Sequence, residues 1–243
     1  MKKHEYEKMD RLENEMWWYA GLHAHLIFVL RQALAGSKNA VVLDAGCGTG
    51  GFLRVAAQVM PECWMLGLDA EEGACVSAHV KSRRPVCGGS VNAMPFAENA
   101  LTAIVCADVL GQRSVDDAQA LLDFKRCLAS GGTLVLNLPA YQWLYSAHDR
   151  AVWQSRRYTS ARLHQLLQAA GFANIRITYW NTFLFPLMVL RRMLIRRRGG
   201  SDVMQYPTPV NLTFRALMHL ESALVRRGFT LPFGGSVLAV AVK

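Results

Sequence analysis

Residues 42–51 read VLDAGCGTGG. A β-branched run opens into glycines and a helical stretch follows at 50–60, so the segment is a strand that turns sharply into a helix. Gly46, Gly48, Gly50 and Gly51 let the backbone turn tightly and approach a ligand, while the helix start offers free N–H groups. Gly46, Gly48 and Gly51 also satisfy GxGxxG, so the glycines alone admit a dinucleotide. Asp44 narrows the choice. It stands just before the loop, where a carboxylate repels a pyrophosphate and suits an ammonium. Working outward, WMLGLD (64–69) is the next strand and ends in Asp69, placed to accept hydrogen bonds from ribose hydroxyls, as in NAD sites. An ordinary strand–helix turn requires neither carboxylate. A ligand with both an amino-acid ammonium and a ribose satisfies both, and S-adenosylmethionine is such a ligand.

The same rhythm continues along the chain. PVCGGS (85–90), TAIVCAD (102–108), TLVLNLP (133–139), NIRITYW (174–180) and GSVLAVAV (235–242) read as strands. Helices are expected at 71–82, at 114–129 with Gly131-Gly132 as the stop, and after Thr159, with Gly171 ending the run. Strands alternating with helices give an α/β fold, a doubly wound, mostly parallel sheet covered on both faces. Leu12, Met16, Tyr19, His23, Leu26, Leu30 and Ala33 are spaced by fours and threes, which predicts one long amphipathic helix ended by Gly36. Residues 1–36 then form an N-terminal helical cap. Residues 140–158 read as an aromatic, polar loop. Residues 181–234 are an insertion before the last strand, inside a single domain of 1–243.

Composition excludes long disorder: 52% of the 243 residues are apolar and 19% charged. The balance of +9 permits nucleic acid, an anionic membrane or acidic substrates without choosing among them. No run reaches the roughly 20 apolar residues of a spanning helix. The N-terminal MKKHEYEKMD lacks an apolar stretch, so no secretory signal is expected. The six cysteines show no CxxC pairing and lie in apolar stretches, which reads as reduced, cytoplasmic thiols rather than a disulfide or metal framework.

These motifs resemble the class I S-adenosylmethionine-dependent methyltransferases, especially the branch that methylates quinones, lipids and other small molecules. LDAGCGTG is similar to the family's first motif, with Asp44, Gly46, Gly48 and Gly50 at its positions and Cys47 between them. GLDA carries the ribose acid Asp69, followed by Ala70. AMPF (93–96) resembles the segment after the third strand, and Leu128 to Gly132 the turn before the fifth. The resemblance implies a seven-stranded sheet with one antiparallel strand. It further implies S-adenosylmethionine at the carboxyl ends of the strands, held also by Ser90, Val91 and Asp108. Ser90 stands where the family usually has an acid, and Gly111-Gln112 where a Glu-His pair is common. Met16-Trp17-Trp18-Tyr19 and His148 to Thr159 are similar to two motifs of many bacterial members, with Met16 and Gln154 in place of histidines and Arg150 in place of an acid.

Methyl transfer needs the nucleophile and methyl group held close and in line, and a hydroxyl nucleophile gains from a base. His148, oriented by Asp149 or another carboxylate, is the expected base. Trp17, Trp18, Tyr19 and Tyr158 are expected to wall the acceptor. In the insertion, Leu187, Leu190, Met193 and Leu194 fall on one side of a helix starting at Pro186, and Arg191, Arg192, Arg196 and Arg198 mainly on the other. Residues 181–234 hold eight arginines and two acids, two-thirds of the chain's net charge. Such a segment either caps the substrate or lies on the anionic inner face of a membrane. The expected reaction is methyl transfer, at oxygen or carbon, to an apolar or lipid-like acceptor. An RNA or protein methyltransferase and an inactive cofactor-binding scaffold stay open as alternatives. Nucleic acid is not expected as a partner, because no RNA-binding module signature and no N/D-P-P-Y run is present.

Overall fold

The computed structural model describes residues 3–194 and 203–243. Seven strands form one sheet: β1 (Val41–Ala45), β2 (Trp64–Asp69), β3 (Val86–Gly88), β4 (Leu101–Ala107), β5 (Leu128–Pro139), β6 (Ala173–Trp180) and β7 (Ser236–Val242). Their order is β3-β2-β1-β4-β5-β7-β6, and β7 alone runs antiparallel to its neighbours. The order reverses between β1 and β4, which opens a crevice at their carboxyl ends. Nine helices are described: α1 (Lys3–Leu12), α2 (Trp17–Ala33), α3 (Gly51–Val59), α4 (Glu72–Ser82), α5 (Asp117–Cys127), α6 (Ala147–Ala151), α7 (Ser160–Ala169), α8 (Phe185–Leu194) and α9 (Thr208–Arg226).

Both faces of the sheet are buried, as the near-continuous apolar strands require. Leu43 packs on one face with Phe124, Leu163 and Leu167 from α5 and α7. Its neighbour Val42 packs on the other with Leu26, Leu30 and Leu53 from α2 and α3. Thr159 caps α7 as expected, accepting from the Arg162 N–H, and Gly171 ends it at φ +77°. The helix before β5 stops at Cys127, two residues short of the expected end, and the Gly131-Gly132 turn is absorbed into β5 as an irregularity opposite β4.

The long helix expected from Leu12 to Ala33 is two helices. The chain turns at 13–15, and Met16 stands extended before Trp17. Asn211, on α9, braces the break from both sides: its Oδ1 accepts from Trp17 N at 2.9 Å and its Nδ2 donates to Glu15 O at 2.9 Å. Glu13 leaves the helical path to pair with Lys81 on α4. The apolar stripe from Met16 to Leu30 is buried as expected. The loop expected at 140–158 contains a 3₁₀ turn (Gln142–Leu144) and α6, the latter started by a Ser146–Asp149 capping box.

The insertion is anchored by one carboxylate. Glu221 of α9 is fully buried and accepts the consecutive N–H groups of Asn181, Thr182 (2.7 Å) and Phe183 (3.1 Å) as the chain leaves β6. Glu221→Ala leaves three donors unpaired and is expected to cost about 2–4 kcal/mol of stability in urea unfolding. A loss below about 1 kcal/mol contradicts that anchoring role.

Candidate active site

A cleft of about 900 Å³ opens at the carboxyl ends of the strands, near the upper end of small-molecule sites. One end is polar. Asp44 lies at the end of β1, 3% exposed, and its Oδ2 has no hydrogen-bond partner. Burial, reinforced by the carboxylates of Asp69 and Glu13, pushes Asp44 up to about 8. An orphaned buried carboxylate is what an incoming ammonium satisfies. Asp69 is held ready by the Gly48 N–H (2.8 Å) and the Glu71 N–H (3.0 Å), with the Tyr6 hydroxyl at 3.4 Å.

The glycine loop is shaped for close approach. Gly46 sits at φ +86°, and a Cβ there would lie 2.2 Å from Val109. Gly46, Cys47 and Gly48 line the cleft, with Ala70, Ser90, Val91 and Asp108. Gly50 does not line it. At φ +85° it begins α3, and a Cβ there would strike the Ala78 backbone at 2.6 Å. Its glycine answers to packing on α4. Within the 1–36 helical cap, α1 lies before the helix expected from Leu12 and covers the loop: Met9 reaches Gly48, and Glu13, just past α1, lies against Gly51. The polar mean of α1 conceals that role.

The other end of the cleft is apolar and aromatic. Trp17, Trp18 and Tyr19 line it as expected, joined by Leu184, Met188, Tyr206 and Phe214. Trp18 stacks on Trp180 at 5.9 Å, and Trp17 meets Phe214 edge-on at 5.4 Å. Tyr158 is not part of this wall. It is fully buried in the core, with its hydroxyl donating to Leu110 O at 3.1 Å and lying 3.0 Å from Asp117 Oδ2. His23 lines the cleft but is buried, which pushes it down to about 4 and keeps it neutral.

His148 lines the cleft on α6. Asp149 is not its orienting carboxylate: Oδ1 accepts from Arg157 Nε at 2.8 Å, and Oδ2 from Ser146 N (2.7 Å) and Oγ (3.0 Å). It caps α6 and fixes Arg157. Two departures noted in the sequence meet in space. A Cβ on Gly111 would lie 2.1 Å from Gln154 Nε2, so the small residue at 111 makes room for the glutamine at 154.

A methyltransferase-domain family model matches residues 19–177, which takes in β1 to β5, most of β6, the glycine loop, Asp44 and Asp69. The chain belongs to the methyltransferase-domain family. It is a class I S-adenosylmethionine-dependent methyltransferase. No curated protein matches the chain in sequence. Solved structures share the fold of this methyltransferase at low identity. A Thermotoga maritima S-adenosylmethionine-dependent methyltransferase, described as a possible histamine N-methyltransferase, is 15% identical with a TM-score of 0.58, over 98% of this chain and 99% of the other. Phosphoethanolamine N-methyltransferase 2 of Haemonchus contortus, in complex with S-adenosylmethionine, is 14% identical with a TM-score of 0.60, over 98% of this chain and 59% of its own. An Archaeoglobus fulgidus S-adenosylmethionine-dependent methyltransferase is 14% identical with a TM-score of 0.55, over 90% and 94%.

The methyltransferase's residues fit the cofactor. Asp44 offers its unpaired oxygen to the ammonium, Asp69 its acceptors to the ribose, and the loop at Gly46–Gly48 the close backbone. Bound there, S-adenosylmethionine supplies an activated methyl group.

Proposed function

We propose that the methyltransferase acts on an apolar or lipid-like acceptor, at oxygen or carbon, taken from the surface of an anionic membrane. The observation that carries this reading is the position of Leu187 and Leu190. Both line the apolar end of the cleft, and both are exposed to solvent, at 49% and 53%. Met193 continues the same face of α8 at 69% exposure. Apolar side chains of α8 thus reach both solvent and the cleft, as an acceptor with an acyl or prenyl tail requires. No helix among the described residues is long and apolar enough to cross a membrane, so the contact is with one face.

The basic side of α8 differs from its sequence expectation. Arg191 turns inward to the Tyr206 hydroxyl at 3.0 Å, and Arg192 reaches Leu144 O and stands 3.9 Å from Asp149 Oδ2. Attraction to lipid then falls to Arg196, Arg197 and Arg198, outside the described residues. The protein is expected to cosediment with phosphatidylglycerol vesicles and much less with phosphatidylcholine, and to be released as salt rises. Joint Leu187→Ser, Leu190→Ser and Met193→Ser should weaken binding at least tenfold, given about 1.5–3 kcal/mol for each fully buried side chain. Absence of vesicle binding at low salt sinks the membrane reading and makes α8 a cap over a water-soluble acceptor.

A further inference from the structure

Asp108 follows β4, where the sheet order reverses, and lines the cleft. Its φ is +59°, left-handed backbone that an aspartate rarely adopts. One oxygen, Oδ1, accepts from Asn137 Nδ2 at 3.2 Å. Asn137 is fully buried, and its own Oδ1 accepts from the buried Trp180 Nε1 at 2.6 Å. An indole is only a donor, so it fixes which way the Asn137 amide points. The amide must present its N–H to Asp108. A strained turn and a two-member buried relay thus hold one carboxylate at the cofactor's end of the acceptor site.

The resemblance gives Asp108 a place beside the cofactor, whose ammonium and ribose fall to Asp44 and Asp69, and the relay behind Asp108 is a further arrangement in the same cleft. We propose that Asp108 is the general base that takes the proton from a hydroxyl nucleophile on the acceptor. The proposal rests on the acceptor reading above and narrows it to a protic oxygen. As the acceptor oxygen bonds to the methyl carbon, the carbon–sulfur bond breaks and its electron pair stays on sulfur as a thioether. The hydroxyl proton passes to the Asp108 carboxylate. Sulfonium and carboxylate charges disappear together, so the step leaves no new charge beside the half-buried Asp108.

The surroundings suit a base. Charged and titratable groups face Asp108 from several elements: Arg157 and Asp149 from the segment after β5, Tyr19 from α2 and Cys106 from β4. Burial, then the Asp149 carboxylate, raise Asp108, against Arg157 and Asn137, to about 7. A base poised near neutrality combines a useful ionised fraction with real basicity.

Two measurements decide the proposal. In protein labelled with carbon-13 at aspartate carboxyls, without ligand, one carboxyl should titrate near pH 7 and vanish in Asp108→Asn. An Asp108 carboxyl titrating below about pH 5 overturns the proposal. The second measurement follows methyl transfer from labelled S-adenosylmethionine to a membrane lipid extract. At saturating S-adenosylmethionine, Asp108→Asn should lower turnover about 10²–10⁴-fold, with unfolding temperature maintained. The parent's turnover should rise with pH through about 7, and Asp108→Glu should recover part of it. Turnover of Asp108→Asn within threefold of the parent, or a loss of that size in His148→Ala instead, overturns the assignment. Absence of lipid product from the parent counts against the acceptor reading, while the carboxyl titration still decides Asp108.

Discussion

Asp44→Asn is expected to weaken S-adenosylmethionine binding by about 2–5 kcal/mol, roughly 30-fold to several thousand-fold, because it truncates one partner of a buried charge pair. The physical reason lies in the ligand-free site. The Asp44 carboxylate is buried, faces Asp69 and Glu13, and has an oxygen without a partner, so its proton is held up to about pH 8. Binding the ammonium requires that proton to leave. Proton release should therefore accompany binding at pH 6–7. Affinity should rise toward pH 8 by at most about tenfold per pH unit. Asp44→Asn should lose both effects. The same shift has a sign for stability. A carboxyl raised in the folded state contributes stability below its ordinary value near 4 and loses it as pH climbs through about 8. S-adenosylmethionine should thus protect the protein against heat most strongly at the upper end of that window. Binding unchanged in Asp44→Asn, measured by titration calorimetry in buffers of different ionisation enthalpy, removes Asp44 from the cofactor site.

Arg157→Met should cost about 3–5 kcal/mol of stability. Arg157 and Asp149 are both buried, 2.8 Å apart, and Arg157 Nη1 also donates to Ala140 O at 3.0 Å. Removing the guanidinium leaves Asp149 inside the protein with Ser146 and, at 3.9 Å, Arg192 as its remaining partners among the described residues. The double variant Arg157→Met/Asp149→Asn should recover part of the loss, since no lone charge remains. Because Arg157 also lowers Asp108, its removal should push that carboxyl higher still. A single-variant loss below about 1 kcal/mol in urea unfolding contradicts this account of the pair.

The sheet was legible because its central strands β1, β4, β5 and β7 are largely apolar runs buried on both faces. β1 to β7 lie within a few residues of their sequence positions except at the start of β5, where the Leu128–Gly132 turn folds into the strand. Asp44 and Asp69 were legible because carboxylates at strand ends are costly without a ligand. What was lost depended on partners distant in sequence. The break before α2 rests on Asn211, almost two hundred residues away. The partner of Asp149 could not be read from its neighbour His148, because Arg157 and Ser146 compete for the same oxygens. Tyr158 carries an aromatic ring suited to either a pocket or a core, and only packing places it in the core. Two other features left signals that were available. Ser146-x-x-Asp149 is a helix-start pattern, and Pro207 with Pro209 followed by Gly228 frames α9.

The central claim is that a methyl group leaves S-adenosylmethionine in this cleft for a lipid-like acceptor. The direct measurement is incubation of the protein with methyl-deuterated S-adenosylmethionine, a membrane lipid extract and total RNA, followed by mass spectrometry of the organic phase, the RNA and the protein. The deuterated methyl is expected in the organic phase, on a compound with an apolar tail, and is lost in Asp44→Asn. Label confined to RNA or protein, with none in the organic phase, would contradict it.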